Sequence, residues 1–126
     1  MLRTNCVSPA SVVEMIAVQT RRLDDVIADR PVDFIKIDVE GAELRVFAGA
    51  AETISRCRLV VVFEHGRAAE KYDDHPSRKL YDLVAGAYGL RISTLGAWLR
   101  NHPPLTCARF EDLSERGDYV YFVAYP

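Results

Sequence analysis

The chain has 126 residues, 49% of them hydrophobic and 27% charged, with a formal net charge of -2, a composition that suits one globular domain over residues 1–126. Lysine and arginine are interspersed with aspartate and glutamate, so no basic stripe grips nucleic acid or anionic lipid; no apolar run approaches the roughly 18 residues of a membrane helix, and "MLRTN" lacks the hydrophobic core of a secretory signal. The expected location is the cytoplasm, and Cys6, Cys57 and Cys107, odd in number and without CxxC spacing, suggest reduced thiols with neither a disulfide framework nor a zinc site.

The first patterned stretch is "SVVEMIAVQT", residues 11–20. Ser11 and Glu14 have capping-box spacing, but β-branched content and the alternation of Val13, Met15 and Ala17 predict a strand ending near Thr20. A short helix, "RRLDDVIAD", follows with Thr20 as its N-cap and Pro31 as its stop. "VDFIKIDV" is a strand, and "GAELRVFAGAAETISR" reads as one helix with Leu44, Phe47, Ala51 and Ile54 on its inner face. "RLVVVFE" is a continuous apolar run of the kind covered on both faces, which makes strand, helix and strand a parallel unit.

Beyond a polar loop, Ser77 is placed to cap "SRKLYDLVAGAY", with Gly89 in its C-terminal turn. "LRISTL" is a third strand. A short helix over "FEDLSER" and the Gly117-Asp118 turn lead to a last strand, "DYVYFVAYP", whose Tyr119, Tyr121, Phe122 and Tyr125 pack on both sheet faces. Trp98 either covers the core or lines an entrance. The class is α/β, with a layered open sheet as its architecture.

The chemistry concentrates where the second strand ends. Alternation puts Phe34, Lys36 and Asp38 on one face and Ile35, Ile37 and Val39 on the other, so one face turns polar toward its carboxyl end. Ligands of open α/β sheets bind outside the carboxyl ends of the strands, where Asp38, Glu40, Glu64 and His65 converge. Asp38, Glu64 and His65 are the catalytic candidates, and Glu40, Glu64 and His65 the substrate-binding ones, able to orient a polar acceptor or take a proton. The plainer reading makes Asp38 an N-cap, gives Glu40 and Glu43 to the helix dipole, and pairs Lys36 with Asp38. His65 is then a hydrogen-bonded strand-end histidine, while His75 and His102 lie solvated in loops. No ligand spacing marks a metal site, and Gly41 points to close backbone approach by a ligand or a neighbouring strand.

With these residues in place, "VDFIKIDVEGAELRVFAGAAETI" followed by "RLVVVFEHG" resembles the signature of FkbM-type methyltransferases, and "TRRLDDVI" and the later strands agree in order. The resemblance implies a Rossmann-like, mostly parallel open sheet with helices on its faces and a C-terminal antiparallel hairpin. It also implies methyl transfer from S-adenosylmethionine to a hydroxyl of a sugar or small-molecule acceptor. Asp38 would lie beside the donor, and Glu64 and His65 on the acceptor side.

One departure matters. The family binds its donor through a glycine-rich turn upstream of the matched region, and residues 1–40 contain no glycine. The chain thus reads as the C-terminal, acceptor-side part of a methyltransferase fold. Either its start lies upstream of Met1, or it is a non-catalytic remnant, or a partner completes the sheet. The last two readings predict a homo-oligomer or half-domain pairing through an open sheet edge.

Overall fold

The computed structural model of the chain describes residues 14–117 and 121–126. The β-branched and aromatic runs form β1 (Phe34–Ile37), β2 (Val60–Glu64), β3 (Arg91–Thr94) and β4 (Tyr121–Tyr125), joined into a sheet of order β1-β2-β4-β3. β1 and β2 pair in parallel, while β4 lies antiparallel to both β2 and β3. Three strands therefore run one way and β4 runs against them, which is the mixed α/β sheet with an antiparallel far edge that the sequence predicts.

The register aligns two rows of core side chains, Ile35, Val61, Ala124 and Ile92 in one and Ile37, Phe63 and Phe122 in the next. Onto this face pack α2 (Glu43–Ala48), α3 (Ala51–Cys57), α4 (Pro76–Tyr81), which runs on as a π-helical turn over Asp82–Ala87, and α6 (Cys107–Arg116). They contribute Phe47, Ile54, Leu80, Val84 and Phe110, all inaccessible or nearly so. Phe63 is the hub: Phe47 meets its ring edge-on at 5.3 Å and Phe122 stacks at 5.7 Å. The opposite face is closed only in part. There α5 (Leu95–Leu99) brings Trp98 against Tyr125 at 5.9 Å, whereas Phe34 at the β1 edge stays 56% exposed. β2 is accordingly buried on one face and half-buried on the other, not covered on both.

Several expectations are corrected. The strand over residues 11–20 is not formed: residues 14–22 have no regular structure, Met15, Ile16 and Val18 are all exposed, and residues 11–13 lie outside the described part. A strand needs a neighbouring ladder, and residues 14–22 pair with none among the described residues. The helix that follows, α1 (Leu23–Ile27), has Arg22 and not Thr20 at its N-cap, and it ends before Pro31, with Ala28 at φ 50.

The long helix predicted over residues 41–56 is two, broken at Gly49 and Ala50. The break is fixed by other partners for its carbonyls: the Asp24 backbone N–H donates to Gly49 O at 3.0 Å and the Tyr88 hydroxyl donates to Phe47 O at 2.9 Å. Ser77 stands inside α4, after Pro76, with His75 at the N-cap. The last helix is longer than "FEDLSER", starting at Cys107 with Thr106 as its cap, and Gly117 ends it in the left-handed region. Asp118 and Tyr119 lie outside the described residues.

α1 is held by one buried carboxylate. Asp24 accepts from Thr53 N at 2.9 Å, Thr53 Oγ1 at 2.8 Å and Glu52 N at 3.2 Å, so it caps the first turn of α3 from a distant part of the chain. Burial by itself raises its pKa, but these hydrogen bonds and the Arg22 guanidinium outweigh that and hold it below the ordinary carboxylate range. A depressed folded pKa contributes stability that is complete above the unfolded value, about 3.9, and is lost as pH falls through the folded one. Asp24→Ala should therefore lower the unfolding free energy by about 2 kcal/mol at pH 7, measured by urea denaturation, and the gap to the parent protein should close in acid.

Candidate functional site

β1 and β2 end side by side, and their last residues form a carboxylate-rich rim. Lys36 donates to Asp38 at 2.9 Å on an exposed face of β1, the pairing expected from their shared face. The Lys36 hydrogen bond and charge hold the Asp38 carboxyl below its ordinary range, and the same contact raises the lysine. Glu64, at the end of β2, is pushed the other way, first by burial and then by the charges of Asp38, Glu40 and Glu43. Two neighbouring carboxylates with opposed shifts are a pattern suited to acid–base work.

Between the strand ends lies a cavity of about 210 Å³ whose lining includes Glu40, Gly41, Glu43, Glu64, His65 and Arg67. Asp38 stands outside the lining, against Glu64. Asp38 is not an N-cap, because Ala42 occupies that position of α2. Glu40 takes a left-handed conformation with φ 54, and Gly41 follows at φ 107. Gly41 cannot be replaced without movement: a Cβ there would meet Ala68 O at 2.4 Å. The close approach anticipated for this glycine is to the backbone of the 3₁₀ turn Arg67–Lys71, and it forms one wall of the cavity.

Behind this wall Glu43 and His65 are nearly inaccessible, at 1% and 2% exposure. Glu43 Oε1 accepts from the Gly41 N–H at 2.8 Å, and Glu43 Oε2 lies 3.2 Å from His65 Nδ1. His65 Nε2 lies 3.0 Å from Ser77 Oγ, and the Phe110 ring stacks on the imidazole at 5.5 Å. The rim thus unites Glu40, Glu64 and His65 around one cavity with Asp38 at its lip. Glu43 and Ser77 are the residues that sequence reasoning passed over, the first as a dipole partner and the second as a helix cap. Their partners are 22 and 12 residues away, so no local pattern marks them. His75 and His102 are exposed, as expected. Cys57 and Cys107 are free thiols, and no group of three metal-ligating side chains occurs among the described residues. No helix among them is long and apolar enough to cross a membrane.

A mixed α/β sheet with an acidic crevice at the carboxyl ends of its parallel strands agrees with a partial methyltransferase-like fold. Residues 4–84 match the methyltransferase FkbM domain, and the chain belongs to that family. It is also similar to the 2-O-methyltransferase NoeI of Sinorhizobium fredii (strain NBRC 101917 / NGR234), 37% identical over 73 residues that make up 55% of this chain and 29% of the relative. The matched part therefore spans less than a third of the relative's length. No solved structure matches the chain.

Whether S-adenosylmethionine fits the described residues can be judged from the cavity. At about 210 Å³ it is smaller than the roughly 300–1,000 Å³ of sites that enclose a small-molecule ligand, and Gly41 faces protein backbone and not open ligand space. These residues do not fit the whole donor.

The raised Glu64 has a consequence for stability. A carboxyl whose folded pKa exceeds its unfolded value, about 4.3, destabilises the fold once pH rises through the folded value, and has no such effect below the unfolded one. Glu64→Gln should raise the urea midpoint at pH 7 and leave it unchanged at a pH below 4, with the difference opening above the unfolded pKa and levelling off above the folded one.

Proposed function

We propose that the chain supplies the acceptor side of an O-methyl transfer, in which a hydroxyl of a saccharide or small molecule is methylated from S-adenosylmethionine held largely by residues outside the described ones. The observation that carries this reading is the half-buried, charge-opposed Glu64 carboxyl at the mouth of the strand-end cavity, within a chain of the methyltransferase family. A carboxylate raised in this way is a stronger base once ionised, and it accepts the hydroxyl proton as the acceptor oxygen becomes nucleophilic. Asp38, kept ionised by Lys36, sustains the field that raises Glu64. Glu40 at the opposite lip accepts from a second hydroxyl, which turns the acceptor in line. His65 acts as a positioning residue here, since both ring nitrogens are engaged inside the protein.

The relative is described as a 2-O-methyltransferase, which supports a 2-hydroxyl as the first acceptor position to try. The isolated chain is expected to give no heat with S-adenosylmethionine at millimolar concentration in calorimetry. A chimera placing the upstream part of the rhizobial relative before this chain is expected to bind the donor and methylate glycosides with free 2-hydroxyls. Glu64→Gln in that chimera should lower kcat about 10²-fold. A chimera that folds and binds the donor yet methylates nothing would overturn the reading.

A second reading rests on the open sheet edge. β1 has only β2 as a neighbour among the described residues, with Phe34 exposed on its face and Met15, Ile16 and Val18 exposed upstream. On this reading the chain is a partner-dependent half-domain that self-associates along β1, as unpaired edges favour. Light scattering should then show a dimer that dissociates on dilution and is weakened by Phe34→Lys; a monomer at every concentration would exclude it.

A further inference from the structure

The Glu43–His65–Ser77 chain lies behind the acidic rim. Ser77 is half-buried and lines a second cavity of about 340 Å³, which shares Gly66 and Arg67 with the rim cavity. Each link has the geometry of an activated nucleophile: a hydroxyl within hydrogen-bond reach of an imidazole, and that imidazole oriented by a carboxylate. The Ser77 Oγ to His65 Nε2 distance is 3.0 Å, and the His65 Nδ1 to Glu43 Oε2 distance is 3.2 Å. A carboxylate only accepts, so Nδ1 carries the proton given to Glu43, and Nε2 is left to accept from the Ser77 hydroxyl. The Gly41 N–H on Glu43 Oε1 and the near-parallel Phe110 ring, 13° from the imidazole plane, hold base and orienter in place.

We propose that Ser77, His65 and Glu43 form a nucleophilic triad that takes the acyl group of small esters, a function separate from methyl transfer. The cavity wall carries more carboxylates than guanidiniums, with Glu70 and Glu115 among them beside Arg67, so the acyl donors it admits are neutral or cationic and not anionic. In the first step the Ser77 proton passes to His65 Nε2 while Oγ bonds to the acyl carbon. The ester C–O bond breaks, and the leaving alcohol takes the proton from Nε2. In the second step water gives a proton to Nε2 and its oxygen bonds to the acyl carbon; the carboxylic acid departs and Ser77 Oγ recovers the proton. No oxidant, metal or cofactor enters the balance. Glu43 touches no substrate atom and is a positioning residue.

The whole chain is incubated with p-nitrophenyl acetate, and the release of p-nitrophenolate is followed alongside peptide mapping by mass spectrometry. The expected result is a burst approaching one equivalent with the acetyl group on Ser77, lost in Ser77→Ala, reduced at least 100-fold in His65→Gln and about tenfold in Glu43→Gln. Ser77 is only half-buried, so Ser77→Ala keeps its fold, checked by circular dichroism, even where His65→Gln does not. No burst from the parent chain, acetylation confined to lysines or other residues, or an unchanged burst in Ser77→Ala overturns the proposal. None of these readouts involves a methyl donor, so the result is independent of the proposed methyl transfer.

Discussion

The buried contact between Glu43 and His65 is the constraint on which both cavities depend. It joins the first turn of α2 to the residue that follows β2, and leaving either group without its partner at that depth costs on the order of 1–3 kcal/mol. Through Glu43 Oε1 it also reaches the Gly41 N–H, and through Nε2 it reaches Ser77 in α4. One histidine therefore ties the strand end, two helices and the Gly41 turn together.

The Gly41 turn turns that tie into a shaped surface. Glu40 and Gly41 both have positive φ, and the backbone there presses against Ala68 so closely that no side chain fits at Gly41. Strain of this sort persists only where the surroundings hold it, here through the Glu43 hydrogen bond. Its effect is to bring the 3₁₀ turn after β2 over the strand ends and to close the rim cavity. The carboxylates on the rim then differ in environment: Asp38 is neutralised by Lys36 in solvent, while Glu64 is half-buried among negative neighbours. Similar groups set side by side on adjacent strands thereby acquire opposite tendencies.

The family match covers residues 4–84, while the structure extends the same sheet through β3 and β4, so the fold continues past the matched region. The aromatic hub of Phe47, Phe63, Phe110 and Phe122 spans both parts and buries them as one core. At the other end, β1 and the exposed apolar residues before α1 leave the sheet without a described neighbour on that side.

Much of this was legible in the residue pattern, because period-two alternation and β-branched content are local properties. β1 to β4, the pairing of Lys36 with Asp38, the gathering of Asp38, Glu40, Glu64 and His65 at one edge and the turn roles of Gly89 and Gly117 all follow from neighbouring residues. What failed depended on distant partners. Residues 14–22 have strand composition but no ladder beside them, and the helix over residues 41–56 breaks because Asp24 and Tyr88 claim its carbonyls. Glu43 and Ser77 look like ordinary helix-start residues until folding sets them on either side of His65. By itself the sequence determined the strands, the sheet edge on which charge collects and the family. Tertiary structure decided which carboxylate is buried, which is neutralised and which serine meets the histidine, since desolvation and hydrogen bonding depend on neighbours that only the fold brings within reach.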